Sequence, residues 1–376
     1  MQEGFSKDVI FLDEYIVSQT RETLELTGHE VESIALIPEG RAHYIFRIVD
    51  RAGLISIARF EKSGRGVGLD GIRRDFEFNG PISISRERNL IDLVREQANL
   101  PALRVYGMYE DTPTPFLIVE NLPGIYWSEY IEKNNFSKEA YLNSLKFIGF
   151  DMANAHKVKF ISFGDIIRED IIQPGNITSF AERIRIITEP KIKRAEQLGT
   201  LNSNELAYLK HTLQSELSDL EDVTKTSSLQ PILAITDIHP KNFLVDDNGK
   251  PSGYFDLEYC QSAPPALDFY FLRWFLLNYF EGISDQAEEA LLERYTANGG
   301  TYDSKNPTNK KLEYLLSINR LMQAVNEYHG LSDELRKGWS GQFKQILFNS
   351  MDEGEINYPK ITSVFRSWTK QPLYAT

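Results

Sequence analysis

Two carboxylates and an amide are gathered in the segment "TDIHPKNFLVDDNGKPSGYFDLE" at 236–258. Asp237 and Asn242 share one loop, the apolar run "FLV" is typical of a strand, and "DDNGK" predicts a hairpin turn that brings Asp256 back beside the loop. Such a cluster is costly to desolvate unless a positive charge lies within it. A metal ion is one candidate for that charge.

These three side chains form a set that phosphoryl transfer requires. One carboxylate orients the attacking hydroxyl, while an amide and a second carboxylate hold the magnesium ion that bridges the nucleotide phosphates. In this interpretation Asp237 is the catalytic residue, and Asn242 and Asp256 are magnesium ligands.

The pattern of apolar residues divides the chain into a strand-rich first part and a helical second part. A helix is predicted at about 12–28, an antiparallel meander of strands at 31–37, 44–50 and 53–60, a helix in 82–97, and strands at 103–111 and 115–122. Helices are predicted at about 138–156, 178–197, 203–221, 266–282, 285–298, 308–328 and 331–350, interrupted by a strand pair at 243–246 and 252–256.

The fold class that follows is α+β with two lobes. We expect an N-terminal lobe at 1–119, a hinge at 120–125 around "ENLPG", and a helical C-terminal lobe at 126–376 that carries the polar cluster.

Composition excludes several classes of function. The chain of 376 residues has 41 lysines and arginines against 54 acids, a net charge of -13, which argues against wrapping nucleic acid. The longest apolar stretch, 269–280, is too short to span a bilayer and contains Arg273, so a buried helix is expected rather than a membrane span. A single cysteine, Cys260, and an N-terminus without signal-peptide features predict a cytoplasmic protein.

The order D-x4-N, hairpin, D-x-E resembles the catalytic and metal-binding loops of the aminoglycoside phosphotransferase and choline kinase family, a branch of the protein-kinase-like fold. The pair His239-Pro240 before Asn242 adds to the resemblance, which extends from about 31 to 280. It implies Mg²⁺-dependent transfer of the γ-phosphate of ATP or GTP to a hydroxyl of a small aminoglycoside-, choline- or sugar-like acceptor.

The resemblance also implies a basic residue near the end of the third strand that contacts the phosphates, held by a helix glutamate. Arg59 and Glu87 are the candidates. Glu87 shares a helical stripe with Ile84, Ile91 and Val94, where a lone carboxylate is unfavourable without a cation. The alternative is that Glu87 reaches solvent and Arg59 is a surface strand residue.

Three further assignments depend on the resemblance. Gly40, in "PEGRAH" at 38–43, corresponds to the turn that covers the phosphates, although an ordinary hairpin turn explains one glycine as well. The nucleotide base is expected against the backbone near Glu120 and Leu122, and Asp268 is expected to hold the catalytic loop through backbone N–H groups.

Two departures from the family pattern leave other functions open. The family often has lysine where this chain has Arg59, and histidine where it has Ile235. A catalytically impaired nucleotide-binding regulatory module and a nucleotidyl transferase on the same fold are therefore the alternatives. The excess of acids favours a cationic or neutral acceptor over an anionic one, bound near helices at about 160–230 and 285–350.

Overall fold

A computed structural model describes residues 7–37, 43–61, 77–78, 80–224, 229–331, 336 and 338–369 of the chain. Gly40 and the glycine-rich stretch at 66–71 lie outside the described residues.

The N-terminal part is an antiparallel sheet with one helix before its first strand and a second helix between its third and fourth strands. The sheet has the strand order β1-β2-β3-β5-β4 with every pair antiparallel, which confirms the predicted meander. Its elements are α1 (Lys7–Leu26), β1 (Val31–Ile37), β2 (His43–Asp50), β3 (Ile55–Glu61), α2 (Ile84–Glu96), β4 (Val105–Tyr109) and β5 (Phe116–Glu120).

Strand β3 has buried residues on both faces. Ala58 and Phe60 belong to an apolar cluster with Phe46 and Phe116, and the Phe60 and Phe116 rings stack with centroids 4.4 Å apart. Because successive strand side chains point to opposite faces, Arg59 points away from this cluster. It is nevertheless buried, at 5% exposure.

Helix α2 joins the N-terminal sheet to the rest of the molecule. Ser83 caps its first turn by accepting a hydrogen bond from the Arg86 backbone N–H. The buried Arg86 guanidinium then donates to the carbonyl oxygens of Ile166, Glu258 and Cys260, at 2.8, 2.6 and 3.1 Å. The direction in which α2 presents Glu87 is therefore fixed by contacts with the C-terminal part.

The C-terminal part is mainly helical and contains two small sheets, with strand orders β11-β10-β6 and β8-β7-β12-β9. Its strands are β6 (Ile125–Tyr126), β7 (Gly164–Arg168), β8 (Ile171–Gln173), β9 (Ile232–Ala234), β10 (Phe243–Val245), β11 (Pro251–Tyr254) and β12 (Gln261–Ala263). Its helices are α3 (Trp127–Lys133), α4 (Lys138–Ala155), α5 (Phe180–Leu198), α6 (Ser203–Thr224), α7 (Ala266–Leu272), α8 (Ser284–Ala297), α9 (Pro307–Glu327), α10 (Trp339–Glu353) and α11 (Tyr358–Thr369).

The apolar stretch at 269–280 is buried, as predicted, but it is not one regular helix. Helix α7 ends at Leu272 and continues as a π-helical turn over Arg273–Leu277. The Arg273 guanidinium forms ion pairs with Glu288 at 2.8 Å and with Glu313 at 2.6 Å, which compensates its charge. Within the described part of the chain, no helix is both long and apolar enough to cross a membrane.

Candidate active site

The predicted hairpin is present and brings two of the candidate residues to the same end. Strands β10 and β11 are antiparallel and pair Phe243 with Tyr254. Asn242 precedes the first strand and Asp256 follows the second, so both lie beyond the same end of the ladder. A hydrogen bond of 3.2 Å from the Phe255 N–H to the Asn242 carbonyl oxygen continues the pairing there.

Asn242 is bonded to Asp237 within the loop that contains both residues. Its amide nitrogen donates to the backbone oxygen of Asp237 at 3.1 Å and to the Asp237 carboxylate at 3.0 Å. Since the nitrogen is used in this way, the amide oxygen is the atom of Asn242 that can face a cation.

The loop is held in an unusual backbone conformation by a buried carboxylate. Thr236 and Asp237 have φ angles of +58° and +29°, in the region that residues other than glycine seldom adopt. Asp268 accepts hydrogen bonds from the Thr236 N–H at 2.7 Å and the Ile235 N–H at 3.2 Å. The backbone contact expected of Asp268 is therefore present, and it does not require a histidine in place of Ile235.

Asp268 is in turn connected to the core of the C-terminal part. It is fully buried, and its carboxylate lies 2.9 Å from Nε2 of His156. The other ring nitrogen of His156 lies 2.8 Å from the Tyr295 hydroxyl. His156 thus serves as a packed, hydrogen-bonded residue beneath the loop.

The Asp237 carboxylate has an altered acidity. Burial raises its pKa to about 7, and the nearby charges of Asp256 and Glu77 act in the same direction. The Arg320 guanidinium and the Asn242 amide act in the opposite direction. A carboxylate of this kind can exchange a proton with an alcohol near neutral pH.

A second group of charges surrounds Arg59. Its guanidinium lies 3.0 Å from the Glu87 carboxylate and 2.9 Å from the Asp256 carboxylate. Glu87 is also buried, so the alternative of a solvent-facing pair does not describe this structure. The neighbouring carboxylates raise the pKa of Arg59 against the effect of burial, which keeps the guanidinium charged. We call this group the Arg59 cluster: Arg59, Glu87, Asp256, His43 and Glu258.

Sequence analysis did not identify His43, which lies beside Arg59 together with Glu258, the last residue of the D-x-E motif. Nδ1 of His43 is 3.4 Å from the Arg59 guanidinium, and Nε2 is 4.0 Å from the Glu258 carboxylate. The ligand atoms of His43, Glu87 and Glu258 lie within 4.8 Å of one another. Because the Arg59 guanidinium already supplies a cation among them, we interpret these residues as its buried surroundings and not as a metal centre.

Glu120 and Leu122 lie where the N-terminal sheet ends. The Glu120 N–H donates to the Arg104 carbonyl oxygen at 2.8 Å, and its carboxylate accepts from the Arg104 N–H at 3.3 Å. The Leu122 side chain packs against Gly253, where a Cβ atom would come within 2.1 Å of it. This places Leu122 against β11, at a residue that precedes Asp256 by three positions.

A third group, which sequence analysis missed, acts electrostatically on the Asp237 carboxylate. Glu77 is buried, pairs with Arg320 of α9, and accepts a 2.8 Å hydrogen bond from the Tyr270 hydroxyl. The Lys191 ammonium donates to the Glu77 backbone oxygen at 2.6 Å. Arg320 and Lys191 together lower the pKa of Glu77 although burial opposes them. We call Glu77, Lys191, Tyr270 and Arg320 the Arg320 cluster.

The residues available for a magnesium ion fit that ion in their chemistry. Mg²⁺ prefers oxygen ligands and is usually held by one or two carboxylates with substrate phosphates. Asn242 offers an amide oxygen and Asp256 a half-buried carboxylate beside it, one oxygen of which is bonded to Arg59.

Comparison with known proteins agrees with this arrangement. A family model described as the phosphotransferase enzyme family matches residues 36–305. No curated protein sequence matches the chain significantly.

Solved structures share the fold. One is a protein from Thermobifida fusca that carries the name fructosamine-3-kinase, with 16% identity and a TM-score of 0.59 over 89% of this chain and 98% of that one. Another is an aminoglycoside phosphotransferase from Streptomyces rimosus in complex with ADP and streptomycin, with 15% identity and a TM-score of 0.50 over 80% of this chain and 98% of that one. The predicted protein-kinase-like fold is therefore confirmed.

Proposed function

The chain belongs to the phosphotransferase enzyme family, and we propose that it transfers the γ-phosphate of ATP or GTP to a hydroxyl group of a small molecule. The observation that carries this proposal is the meeting of Asp237, Asn242 and Asp256 at one end of a hairpin, with Arg59 bonded to Asp256 at 2.9 Å. A nucleoside triphosphate as co-substrate and a single buried cysteine are both in keeping with a cytoplasmic enzyme.

In the proposed reaction Asp237 orients the acceptor hydroxyl and takes its proton. The hydroxyl oxygen forms a bond to the γ-phosphorus while the bond from that phosphorus to the leaving nucleoside diphosphate breaks. A pKa of about 7 lets the Asp237 carboxylate accept the proton without being fully protonated at neutral pH. The Asp268 contacts to the Ile235 and Thr236 N–H groups support this role by fixing the loop before substrate binds.

The proposed role of Arg59 is to bind the nucleotide phosphates, with Glu87 holding its guanidinium in place. Arginine offers a planar set of five N–H donors that suits phosphate oxygens. One of its nitrogens already bonds to Asp256, so the same side chain can connect the phosphates with the carboxylate proposed as a metal ligand. Glu120 and Leu122 remain the proposed backbone contacts of the base.

Asn242 and Asp256 are the residues that would hold Mg²⁺, which, when bound, neutralises charge on the nucleotide phosphates. The proposed acceptor is a small hydroxylated molecule of the aminoglycoside, choline or sugar type.

The test is nucleotide turnover with Mg²⁺ and a pool of small alcohols, measured for the wild type and for Asp237→Asn. Release of ADP or GDP that depends on an alcohol and is lost in the variant is the expected result. Pyrophosphate release would instead indicate nucleotidyl transfer. Tight nucleotide binding with no product of either kind would indicate a regulatory module.

A further inference from the structure

A chain of buried hydrogen bonds joins the connection between α8 and α9 to the loop that contains Asp237. Its members, in order, are the Tyr302 backbone, Tyr295, His156, Asp268 and the Thr236 backbone. The side chains of Tyr295, His156 and Asp268 are all buried. The direction of each bond depends on which ring nitrogen of His156 carries the hydrogen.

The Tyr295 hydroxyl determines that direction. Burial raises its pKa, so it keeps its hydrogen near neutral pH. Backbone N–H groups of Tyr302 and Thr301 hydrogen-bond to its oxygen, the first at 3.2 Å, and these groups can only donate. Among the groups that bond to this hydroxyl in the described part of the chain, only Nδ1 of His156, at 2.8 Å, can accept its hydrogen.

A hydrogen bond accepted at Nδ1 fixes the hydrogen of neutral His156 on the other ring nitrogen. That nitrogen, Nε2, lies 2.9 Å from the Asp268 carboxylate and therefore donates to it. The opposite tautomer would place two hydrogens between Tyr295 and Nδ1, and a lone pair of Nε2 against the carboxylate. Both hydrogen bonds would be lost in a buried region, where such losses are costly.

Asp268 needs this donor because its carboxylate is fully buried. Within the residues that the structure describes, no lysine or arginine pairs with it, and its oxygens accept from Nε2 of His156 and from the Ile235 and Thr236 N–H groups. The two backbone bonds hold Thr236 and Asp237 at positive φ, a conformation that persists only when surrounding contacts impose it. The tautomer of His156 thus bears on the position of Asp237.

We propose that Tyr295 is a positioning residue for the proposed reaction: its hydroxyl keeps the hydrogen of His156 on Nε2 and so, through Asp268, holds Asp237 in place. The proposal rests on the proposed kinase function and adds to it a residue of α8 that does not touch Asp237. The Tyr295 ring packs edge-on against Phe269, with centroids 5.2 Å apart. Removing the hydroxyl alone therefore separates the hydrogen bond from the packing.

The test compares Tyr295→Phe with a matched control, Tyr141→Phe. Tyr141 of α4 is also fully buried, and its hydroxyl donates to the Leu276 carbonyl oxygen at 2.7 Å, outside this chain of hydrogen bonds. Each variant keeps its ring and loses one buried hydrogen bond of similar length. Urea unfolding should therefore show comparable losses of stability in the two variants.

Two measurements do not require turnover. The first is ¹⁵N NMR of the six histidine rings, in which the signals of His156 are those that disappear in His156→Gln. Wild type and Tyr141→Phe should show only the tautomer with hydrogen on Nε2, and Tyr295→Phe should also show the other one. The second is hydrogen exchange of the Ile235 and Thr236 amides. It should be about 10-fold faster in Tyr295→Phe than in Tyr141→Phe, the scale of one hydrogen bond.

The third measurement is nucleotide turnover with Mg²⁺, varied ATP and a fixed pool of small alcohols. Tyr295→Phe should lower kcat by about 10-fold and leave KM for ATP unchanged, because Arg59, Asn242 and Asp256 make no contact with Tyr295 among the described residues. Tyr141→Phe should behave as the wild type does. A merely structural role of Tyr295 would give the same result in both variants.

Three outcomes would overturn the proposal: hydrogen on Nδ1 of His156 in the wild type, an unchanged tautomer in Tyr295→Phe, or equal exchange rates and kcat values in the two variants. Failure of the kinase function is distinguishable from these. It would appear as a wild type without alcohol-dependent ADP release, while NMR and hydrogen exchange would still show whether Tyr295 fixes the tautomer and the loop.

Discussion

Arg59 and Arg320 each form an ion pair that joins the N-terminal part to the C-terminal part, and the two side chains differ in how far they are buried. Arg59 of β3 lies among carboxylates: it contacts Glu87 and Asp256, and the charge of Glu258 also acts on it. Arg320 of α9 shares one carboxylate, Glu77, with a second cation, Lys191. The charges of Asp237 and Glu327 also act on Arg320, whose side chain keeps 20% exposure against 5% for Arg59.

This difference in burial bears on how firmly each arginine is held. An arginine among several carboxylates is held firmly, and a phosphate or metal can take over one of its partners without leaving the others uncompensated. Arg320 is the more exposed of the two, and its only hydrogen-bonded carboxylate among the described residues is Glu77. The Asp237 carboxylate is coupled electrostatically both to Asp256 of the Arg59 cluster and to Arg320.

The largest effect is expected at Asp237, whose carboxylate is coupled to members of both clusters. Asp237→Asn should lower turnover by about 10²-fold or more, because a positioned acid–base group contributes on that scale. The variant should bind Mg²⁺ and nucleotide nearly as the wild type does, since Asp237 is not one of the proposed ligands. Steady-state kinetics and calorimetry on the same preparation check both points. Turnover at the wild-type rate would contradict the assignment.

Removing the carboxylate shared by Arg59 and the proposed metal site should affect nucleotide affinity. Asp256→Ala should abolish the part of that affinity that depends on magnesium, because the phosphates lose the ion that compensates their charge. Nucleotide titrations with Mg²⁺ and with EDTA measure this part. If magnesium increases affinity equally in the variant and the wild type, Asp256 is not a ligand.

A smaller effect is expected when Arg59 keeps its charge but loses its ion pair with Glu87. Glu87→Gln should raise KM for the nucleotide by about 10-fold, the scale of one charge-assisted hydrogen bond, with less change in kcat. The matched control is Asp92→Asn on the same helix, since the Arg88–Asp92 pair is largely exposed at 43% and 33%. Equal KM values in both variants would remove Glu87 from the site.

The buried carboxylate of Asp151 extends the comparison, because no arginine compensates its charge. Asp151 is buried and receives a hydrogen bond from the Tyr254 hydroxyl at 3.0 Å, and burial raises its pKa to about 7. The native state therefore binds this proton more tightly than the unfolded state, so its contribution to the free energy of unfolding is lost as pH rises from about 4 to 7.

Asp151→Asn should remove that pH dependence with no effect on turnover. At pH 4 the variant should be about as stable as the wild type. At pH 8 it should be more stable by at most a few kcal/mol, because each unit of pKa difference corresponds to about 1.4 kcal/mol. Urea unfolding at the two pH values measures the difference. A variant that is equally destabilised at both would show that the Asp151 carboxylate is ionised in the folded protein.

Much of the fold was predictable because its long elements have regular apolar spacing. The five strands of the first sheet, α2, and the hairpin before Asp256 fall close to their predicted positions. The sheet of β7, β8, β9 and β12 was not predicted, since strands of three to five residues are too short to establish an alternation. Helix α10 begins at Trp339 and not near 331, after Gly338 with φ of +83°.

The two arginine clusters also differ in whether the sequence could predict them. Arg59 and Glu87 were identifiable because each lies within a regular element whose period indicates the direction of its side chain. Glu77 lies in an irregular segment, and Arg320 follows it by 243 residues. No local spacing connects two such residues, so only the tertiary structure brings them together.

The single cysteine can report how often the contact between α2 and the loop that contains Ile235 opens. Cys260 is completely buried, its thiol contacts the Ile235 carbonyl oxygen at 3.4 Å, and its own carbonyl accepts a hydrogen bond from Arg86 of α2. Burial also raises the pKa of the thiol, so little of the reactive thiolate exists in the closed protein. An alkylating reagent will therefore label the chain only when the contact between α2 and the catalytic loop comes apart, and the labelling rate will measure how often it does.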